Sequence, residues 1–531
     1  MTHIARIGRK FELLGLATAA LSLVALSGPA WGNSILPSQE TQSALERLST
    51  QQSEKTSLEI YEKQDLKSFK VPPDKLDDPW SVKGSETAST NATEDVPIAV
   101  PNSMLLMLEP NTTSSEIQAL LKKFNASVVK TFPSLGSVLV ETDLSHYFAT
   151  RLGDNHANDA LLRGLTSSAE AFAADPRVKS ATPDLLLRDK RVTNLLTPAD
   201  VVLANPGATS EIVDWGMGDV EADRIWSMPG ALDGAVIGVM DAGFNRHEDL
   251  VFMGIPRATP INDHGNHVAG IACARHNNSK GIKGVVPNCF IRPRSGEFFV
   301  DDATGGNVVR FLVRFSEILR SLLQFVESQD DVKVFNLSLG YNWGPNFGIN
   351  PDAPDSGTWR GLVTQQGVFM LSILELATAN NKVIYSAAGN DSSGLSDPID
   401  ARFASPFNWA AIEARKTGRS FNGVIVEAHD RTGNRAGFSN EKGHISCPGV
   451  DVFSTVAKDE NNQVSDIAYG TMSGTSMASP YCAGGHILFS LVRPGYSGAE
   501  IVNCLESSTA KSDSDTPMLR LEEAVSRCPP K

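Results

Sequence analysis
The pattern of apolar and polar positions divides this chain. From about Glu211 onward, short runs are almost continuously apolar: Ala235–Met240, Val332–Leu339, Val383–Ala387 and Gly423–Glu427. Runs that are apolar on both faces read as buried parallel strands. Helical stretches separate them, notably Val308–Val326 and Val368–Ala379. Alternation of this kind builds a βαβ sheet, and ligands of such sheets bind beyond the carboxyl ends of the strands. Small and polar residues collect at those ends: Asp241-Ala242-Gly243, Gly340 and Gly389-Asn390. The expectation is an α/β architecture with a mainly parallel central sheet.

The segment before it reads differently. Between 97 and 191 the pattern predicts a strand at Ser103–Leu108, a helix at Ser115–Phe124, a strand at Ser137–Glu141 and a helix at Ala160–Ala174. The first helix carries Ile117, Leu120, Leu121 and Phe124 on one face, with Ser115 and Gln118 spaced as a capping pair. This is a small α+β module without cysteine. Residues 192–210 read as a linker to the 211–531 block. Residues 33–96 are rich in Ser, Gln, Glu, Lys and Thr, too polar to offset the entropy of ordering, and are expected to be largely disordered. At the amino terminus Arg6, Arg9 and Lys10 precede an uncharged apolar run, Leu13–Leu26, and then Ala30-Trp31-Gly32. That run is too short for a bilayer span, so residues 1–32 read as a cleaved signal peptide for secretion or the periplasm.

Composition narrows the partners. Of 531 residues, 41% are hydrophobic and 20% charged, with a net charge of −14. The acidic balance disfavours nucleic acid, and no second apolar run suggests stable membrane insertion. The expectation is a soluble monomer. Cys273, Cys289, Cys447, Cys482, Cys504 and Cys528 all fall in the 211–531 block, and an oxidising compartment would let them pair. Proximity alone suggests Cys273 with Cys289 and Cys504 with Cys528; sequence does not choose among the pairings.

Four separated places carry chemistry. Asp241 ends an apolar strand, where a carboxylate can be held ionised and aimed. His264 stands among small residues in Asp263-His264-Gly265-Asn266-His267-Val268-Ala269-Gly270. Asn390 closes Ala387-Ala388-Gly389-Asn390 and offers an amide donor for a developing oxyanion. Ser476, in Gly474-Thr475-Ser476-Met477-Ala478-Ser479-Pro480, opens a helical run at the positive end of its dipole. Acyl transfer requires this set: nucleophile, base, orienting carboxylate and oxyanion donor. Taken singly, the Asp is a turn residue, Gly-Asn a turn dipeptide and the serine a helix cap. Their joint occurrence in the order Asp, His, Ser outweighs those readings.

With Asn336-Leu337-Ser338-Leu339-Gly340 and Pro448-Gly449-Val450, these blocks make residues Glu211–Ser526 resemble a subtilisin-type serine endopeptidase, a subtilase. The resemblance implies a subtilisin-like three-layer fold. It also implies that Ser476 is the nucleophile, His264 the general base, Asp241 its orienting partner and Asn390 the oxyanion donor. Ser338, Leu339 and Gly340 would pair with the backbone of a polypeptide substrate. The 97–191 module is similar to the family's inhibitor propeptide, which would make the chain its own temporary inhibitor and its activation autocatalytic. Asp249, Asn278 and Glu211 would correspond to ligands of a structural calcium ion; the chemistry itself would need no cofactor.

Departures from the family pattern are Ala242, Asn266, Tyr481, Cys482 and a segment rich in Gly, Pro, Asn and Asp, Tyr341–Thr358, read as an insertion at the substrate cleft. They leave two competing readings. One is a catalytically degenerate subtilase acting as a binding or regulatory protein. The other is a metallohydrolase using Asp241, His264 and His267, which leaves the Ser476 block without a purpose.

Overall fold
A computed structural model describes residues 34–53, 81–83, 95–97, 99–147, 157–189, 211–241, 243–254, 263–295, 299–301, 310–328, 331–341, 350–353, 356–420, 422–459 and 463–531. The signal-peptide reading (1–32), the linker (192–210), Ala242 and most of the Tyr341–Thr358 segment lie outside the described residues.

The amino-terminal elements are α1 (Gln39–Ser53), β1 (Ala99–Leu108), α2 (Ser114–Lys123), β2 (Ser127–Phe132), β3 (Ser137–Glu141), α3 (Ala157–Ala173) and β4 (Val178–Asp189). Helix α2 forms about where its apolar spacing predicts, burying Ile117 and Leu120. Its cap differs: Thr113, not Ser115, is the N-cap, in a reciprocal capping box with Glu116. Two positions further upstream the threonine still precedes the first turn, which leaves Ser115 inside the helix.

Helix α1 falls within the 33–96 segment read as largely disordered, most of which lies outside the described residues. Ala44 and Leu45 are fully buried in one core with Met104, Leu106, Ile117, Leu120, Val138 and Phe172. Thr41 Oγ1 donates to the carbonyls of Pro110 and Thr112 at 2.7 and 3.0 Å. A polar segment with one narrow apolar stripe orders here because a neighbouring module supplies the rest of the core.

The peptidase block contains β5 (Ala235–Asp241), α4 (Asp263–Cys273), β6 (Cys289–Ser295), β7 (Phe299–Asp301), β8 (Arg310–Arg314), α5 (Phe315–Glu327), β9 (Val334–Leu337), α6 (Gly357–Ala379), β10 (Val383–Ala387), α7 (Pro406–Lys416), β11 (Gly423–His429), β12 (Ile445–Pro448), β13 (Val452–Thr455), β14 (Tyr469–Met472) and α8 (Thr475–Val492). Six strands form an all-parallel sheet in the order β12-β11-β10-β9-β5-β6. In register, Val334 of β9 lies between Ile237 of β5 and Val383 of β10.

Alternate strand residues face opposite layers, as period-two geometry requires. Ile237, Val239, Val383, Tyr385, Val424 and Val426 join the core made with α4 and α8. On the opposite face, Phe335 stacks on Phe325 of α5 with ring centroids 4.2 Å apart. The result is a three-layer α/β fold. Helix α6 is long and apolar enough to cross a bilayer, yet 67% of its most apolar window is buried, as befits a core helix.

The helix expected over Val308–Val326 is divided: Arg310–Arg314 is strand β8 and the helix begins at Phe315. Tertiary pairing overrides the helical reading, because β8 lies antiparallel between β4 and β7. A second sheet, β2-β3-β1-β4-β8-β7, thereby runs from the amino-terminal module into the peptidase block. At this junction Asp184 of β4 accepts from the Ser316 N–H (2.9 Å) and hydroxyl (2.7 Å) at the first turn of α5. Burial pushes that carboxyl's pKa up.

Candidate active site
The carboxyl ends of β5, β9 and β10 converge on the first turns of α4 and α8, which pack against one another. Asp241 is the last residue of β5 and fully buried; His264 is the second residue of α4. Gly265 allows the helix to come this close, since a Cβ there would collide with the Gly243 carbonyl oxygen and press on Asp241.

His264 Nδ1 lies 2.7 and 2.8 Å from the two carboxylate oxygens of Asp241. An ionised carboxylate only accepts, so Nδ1 carries the proton and Nε2 keeps its lone pair for base chemistry. His264 is 5% exposed and Ser476 8%.

Asn390 is aimed by its neighbours. Its Oδ1 accepts from the N–H and the hydroxyl of Thr475, both at 2.9 Å. That leaves the Nδ2 donors directed elsewhere, and Nδ2 stands 3.4 Å from where a Cβ on Gly474 would be, at the front of the serine helix. Gly389, with φ +101°, turns the chain in the left-handed region to deliver Asn390 there. The sequence reading missed the orienting role of Thr475; its place beside Ser476 was the available signal.

Ser338 and Ser476 are brought together, with Ser338 Oγ donating to the Ser476 carbonyl at 3.1 Å. Ser338 is buried, while Leu339 and Gly340 are half-exposed. His267 turns away from this group. Its Nε2 donates to the carbonyls of Val452 and Gly470 at 3.0 and 3.1 Å, and burial pulls its pKa down to about 3. A neutral histidine tying β13 to β14 is a structural brace, which removes the geometry that the metallohydrolase reading needs.

The departures at 481 and 482 are structural. Tyr481 donates to Asp214 Oδ2 at 2.6 Å, and Cys482 is bonded to Cys447, fastening α8 to β12. Cys273–Cys289 and Cys504–Cys528 are the other disulfides. Asn266 accepts from the Asn245 N–H at 2.8 Å.

The expected cation ligands also lie together. Asn278 Nδ2 is 2.7 Å from Asp249 Oδ1, and the Asn278 N–H donates to Glu211 Oε1 at 2.7 Å. Burial, with Glu211 adding to it, pushes the Asp249 pKa up to about 6. Two carboxylates and an amide oxygen would make a hard-oxygen donor set, which suits calcium; here the amide turns its nitrogen to Asp249 and its oxygen accepts from the Lys280 N–H. Rotating the Asn278 amide by half a turn would present its oxygen in place of its nitrogen. Among the described residues no group of three or more His, Cys, Asp or Glu forms a metal cluster.

Residues 233–521 match the model of the subtilase family, so the chain belongs to that family of serine-type endopeptidases. Alkaline elastase YaB of Bacillus sp. (strain YaB) is 27% identical over 317 residues, a match spanning 58% of this chain and 68% of the elastase. Subtilisin Savinase of Lederbergia lenta is 28% identical over 310 residues, spanning 56% of this chain and 92% of its own. An alkaline protease of Alkalihalobacillus alcalophilus is 28% identical over 310 residues, spanning 56% of this chain and 65% of its own. Among solved structures, one described as proteases from Pseudoalteromonas arctica PAMC 21717 superposes with a TM-score of 0.42 at 22% identity, covering 59% of this chain and 94% of that one.

Proposed function
We propose that this subtilase is an exported endopeptidase that cuts polypeptides through Asp241, His264 and Ser476, with Asn390 as oxyanion donor. The observation that carries the reading is the buried Asp241 carboxylate with both oxygens on His264 Nδ1. Ser476 Oγ attacks the scissile carbonyl while His264 Nε2 takes its proton, which then passes to the leaving amine. The tetrahedral oxyanion receives hydrogen bonds from Asn390 Nδ2 and the Ser476 N–H; one such donor is worth about 3–4 kcal/mol of barrier. Water then hydrolyses the acyl-enzyme by the same proton route. Leu339 and Gly340, half-exposed beside the buried Ser338, would pair with substrate backbone as an added strand.

The 97–191 module would act as an inhibitor propeptide, and its removal by the enzyme itself would produce the mature protease. Its sheet continuity with β8 and the Asp184 contact to α5 support this reading. Fluorophosphonate labelling of wild type beside Ser476→Ala tests both parts. Label on Ser476 in a shortened wild-type band, with an unlabelled full-length mutant, is the expected result. No label on a folded, shortened wild type would instead favour the degenerate binding protein.

Glu211, Asp249 and Asn278 would hold calcium as a structural ion, drawing together the 211 end of the block and two surface loops. Removing calcium with a chelator should then lower the melting temperature, and added calcium should restore it. Unchanged melting with and without chelator would remove the ion from this account.

A further inference from the structure
The carbonyl of the proposed nucleophile has lost its helical partner. In an α-helix the carbonyl of residue i accepts from the N–H of residue i+4. For Ser476 that residue is Pro480, which lies inside α8, has no N–H and crowds the carbonyl before it. The Ser338 hydroxyl, 3.1 Å away, supplies the missing donor.

Ser338 is itself held. Its Oγ accepts from Asn336 Nδ2 at 2.9 Å, and Asn336 Oδ1 accepts from Ser479 Oγ at 2.7 Å. Asn336 and Ser479 are fully buried and Ser338 is 2% exposed. The arrangement follows from two periods. Residues 336 and 338 share one face of an extended chain, and residues 476 and 479 share one face of a helix. Two rungs result, 336 with 479 and 338 with 476, and the proton directions run in series toward the Ser476 carbonyl.

We infer that Ser338 is a positioning residue for the peptidase reaction. Through the donor that Pro480 cannot provide, it fixes the backbone of Ser476 relative to the strand that continues into Leu339 and Gly340. The ladder thus sets the register between nucleophile and bound substrate. This inference rests on Ser476 being the nucleophile.

The test is a double-mutant cycle on the full chain: wild type, Ser338→Ala, Pro480→Ala and the double variant. Each is normalised by active-site titration, with kcat and KM measured separately. Ser338→Ala should lower kcat by about 10- to 100-fold, the scale of a nucleophile misplaced by a fraction of an ångström to one ångström. KM should stay within about threefold, because the substrate-pairing backbone is retained. Pro480→Ala restores an N–H at position 480, so in that background the same serine substitution should cost much less. If Ser338→Ala does not fold, the double variant should recover folding as well as turnover. Equal kcat losses in both backgrounds, or no loss at all, would overturn the positioning role; so would a double variant that folds no better. Ser476→Ala run alongside separates the failures. Turnover surviving that change overturns both readings, whereas turnover that needs Ser476 without coupling between 338 and 480 overturns this one alone.

Discussion
A carboxylate that can only accept hydrogen bonds dictates which nitrogen of His264 is protonated, and that makes Asp241 the most informative single position. Asp241→Asn would put an amide where both oxygens now bond Nδ1. The amide can donate as well as accept, so the opposite tautomer, with its proton on Nε2, becomes available and cannot act as base. We expect the fold to persist and kcat to fall by about 10⁴-fold, read as turnover per folded molecule beside an unshifted melting temperature. A loss below about tenfold would contradict the orienting role. The residues proposed for the chemistry were legible because each sits in a short, local block whose spacing does not depend on the rest of the chain. Thr475, Asn336 and Ser479 were not legible as partners. Their roles arise from contacts 85 and 143 residues apart in sequence, and no local pattern announces such a distance.

Elements were legible where their burial is symmetrical. The four apolar runs became β5, β9, β10 and β11, each buried between two helical layers that any apolar residue satisfies. Edges and add-ons were hidden. Strand β8 carries an apolar pattern compatible with either period, and only pairing with β4 decides it. Helix α1 has three apolar positions, Ala44, Leu45 and Leu48, in an otherwise polar segment, and these pack on a core built by later residues. The chain just before this helix reaches the peptidase block, where the Ile35 N–H donates to Glu375 Oε2 on α6 at 3.1 Å. Leu45→Ala should therefore destabilise the amino-terminal module by about 2–4 kcal/mol, the cost of truncating a fully buried leucine. Hydrogen exchange on a Ser476→Ala background checks this: amides of β1 and β3 should lose protection while those of β10 and β11 keep theirs. Unchanged protection in β1 would make α1 an appendage rather than part of that core.

At the scale of the whole molecule, buried histidines set the response to acid. Burial lowers the pKa of His276 and His444, and pulls those of His267 and His486 down to about 3. An unfolded chain protonates these rings near 6.5. Between that value and about 3 the unfolded state therefore binds more protons than the folded one, and stability falls as the pH is lowered. Asp263, Glu427 and Glu506, raised by burial, act in the opposite sense, because the folded state takes up their protons first. A single-site comparison separates the two contributions. His486 receives or gives a hydrogen bond at Nδ1 with the Tyr385 hydroxyl, 3.0 Å away, and glutamine can keep that bond without titrating. On a Ser476→Ala background, which removes self-digestion, His486→Gln should lose less stability than its parent between pH 7 and pH 4.5. The difference should be about 2–3 kcal/mol, from roughly two pH units at 1.36 kcal/mol each. Urea unfolding at both pH values measures it directly. Parallel losses in the two proteins would mean that His486 takes up its proton alike in the folded and unfolded states, and the acid response would then belong to the other buried histidines, His267, His276 and His444.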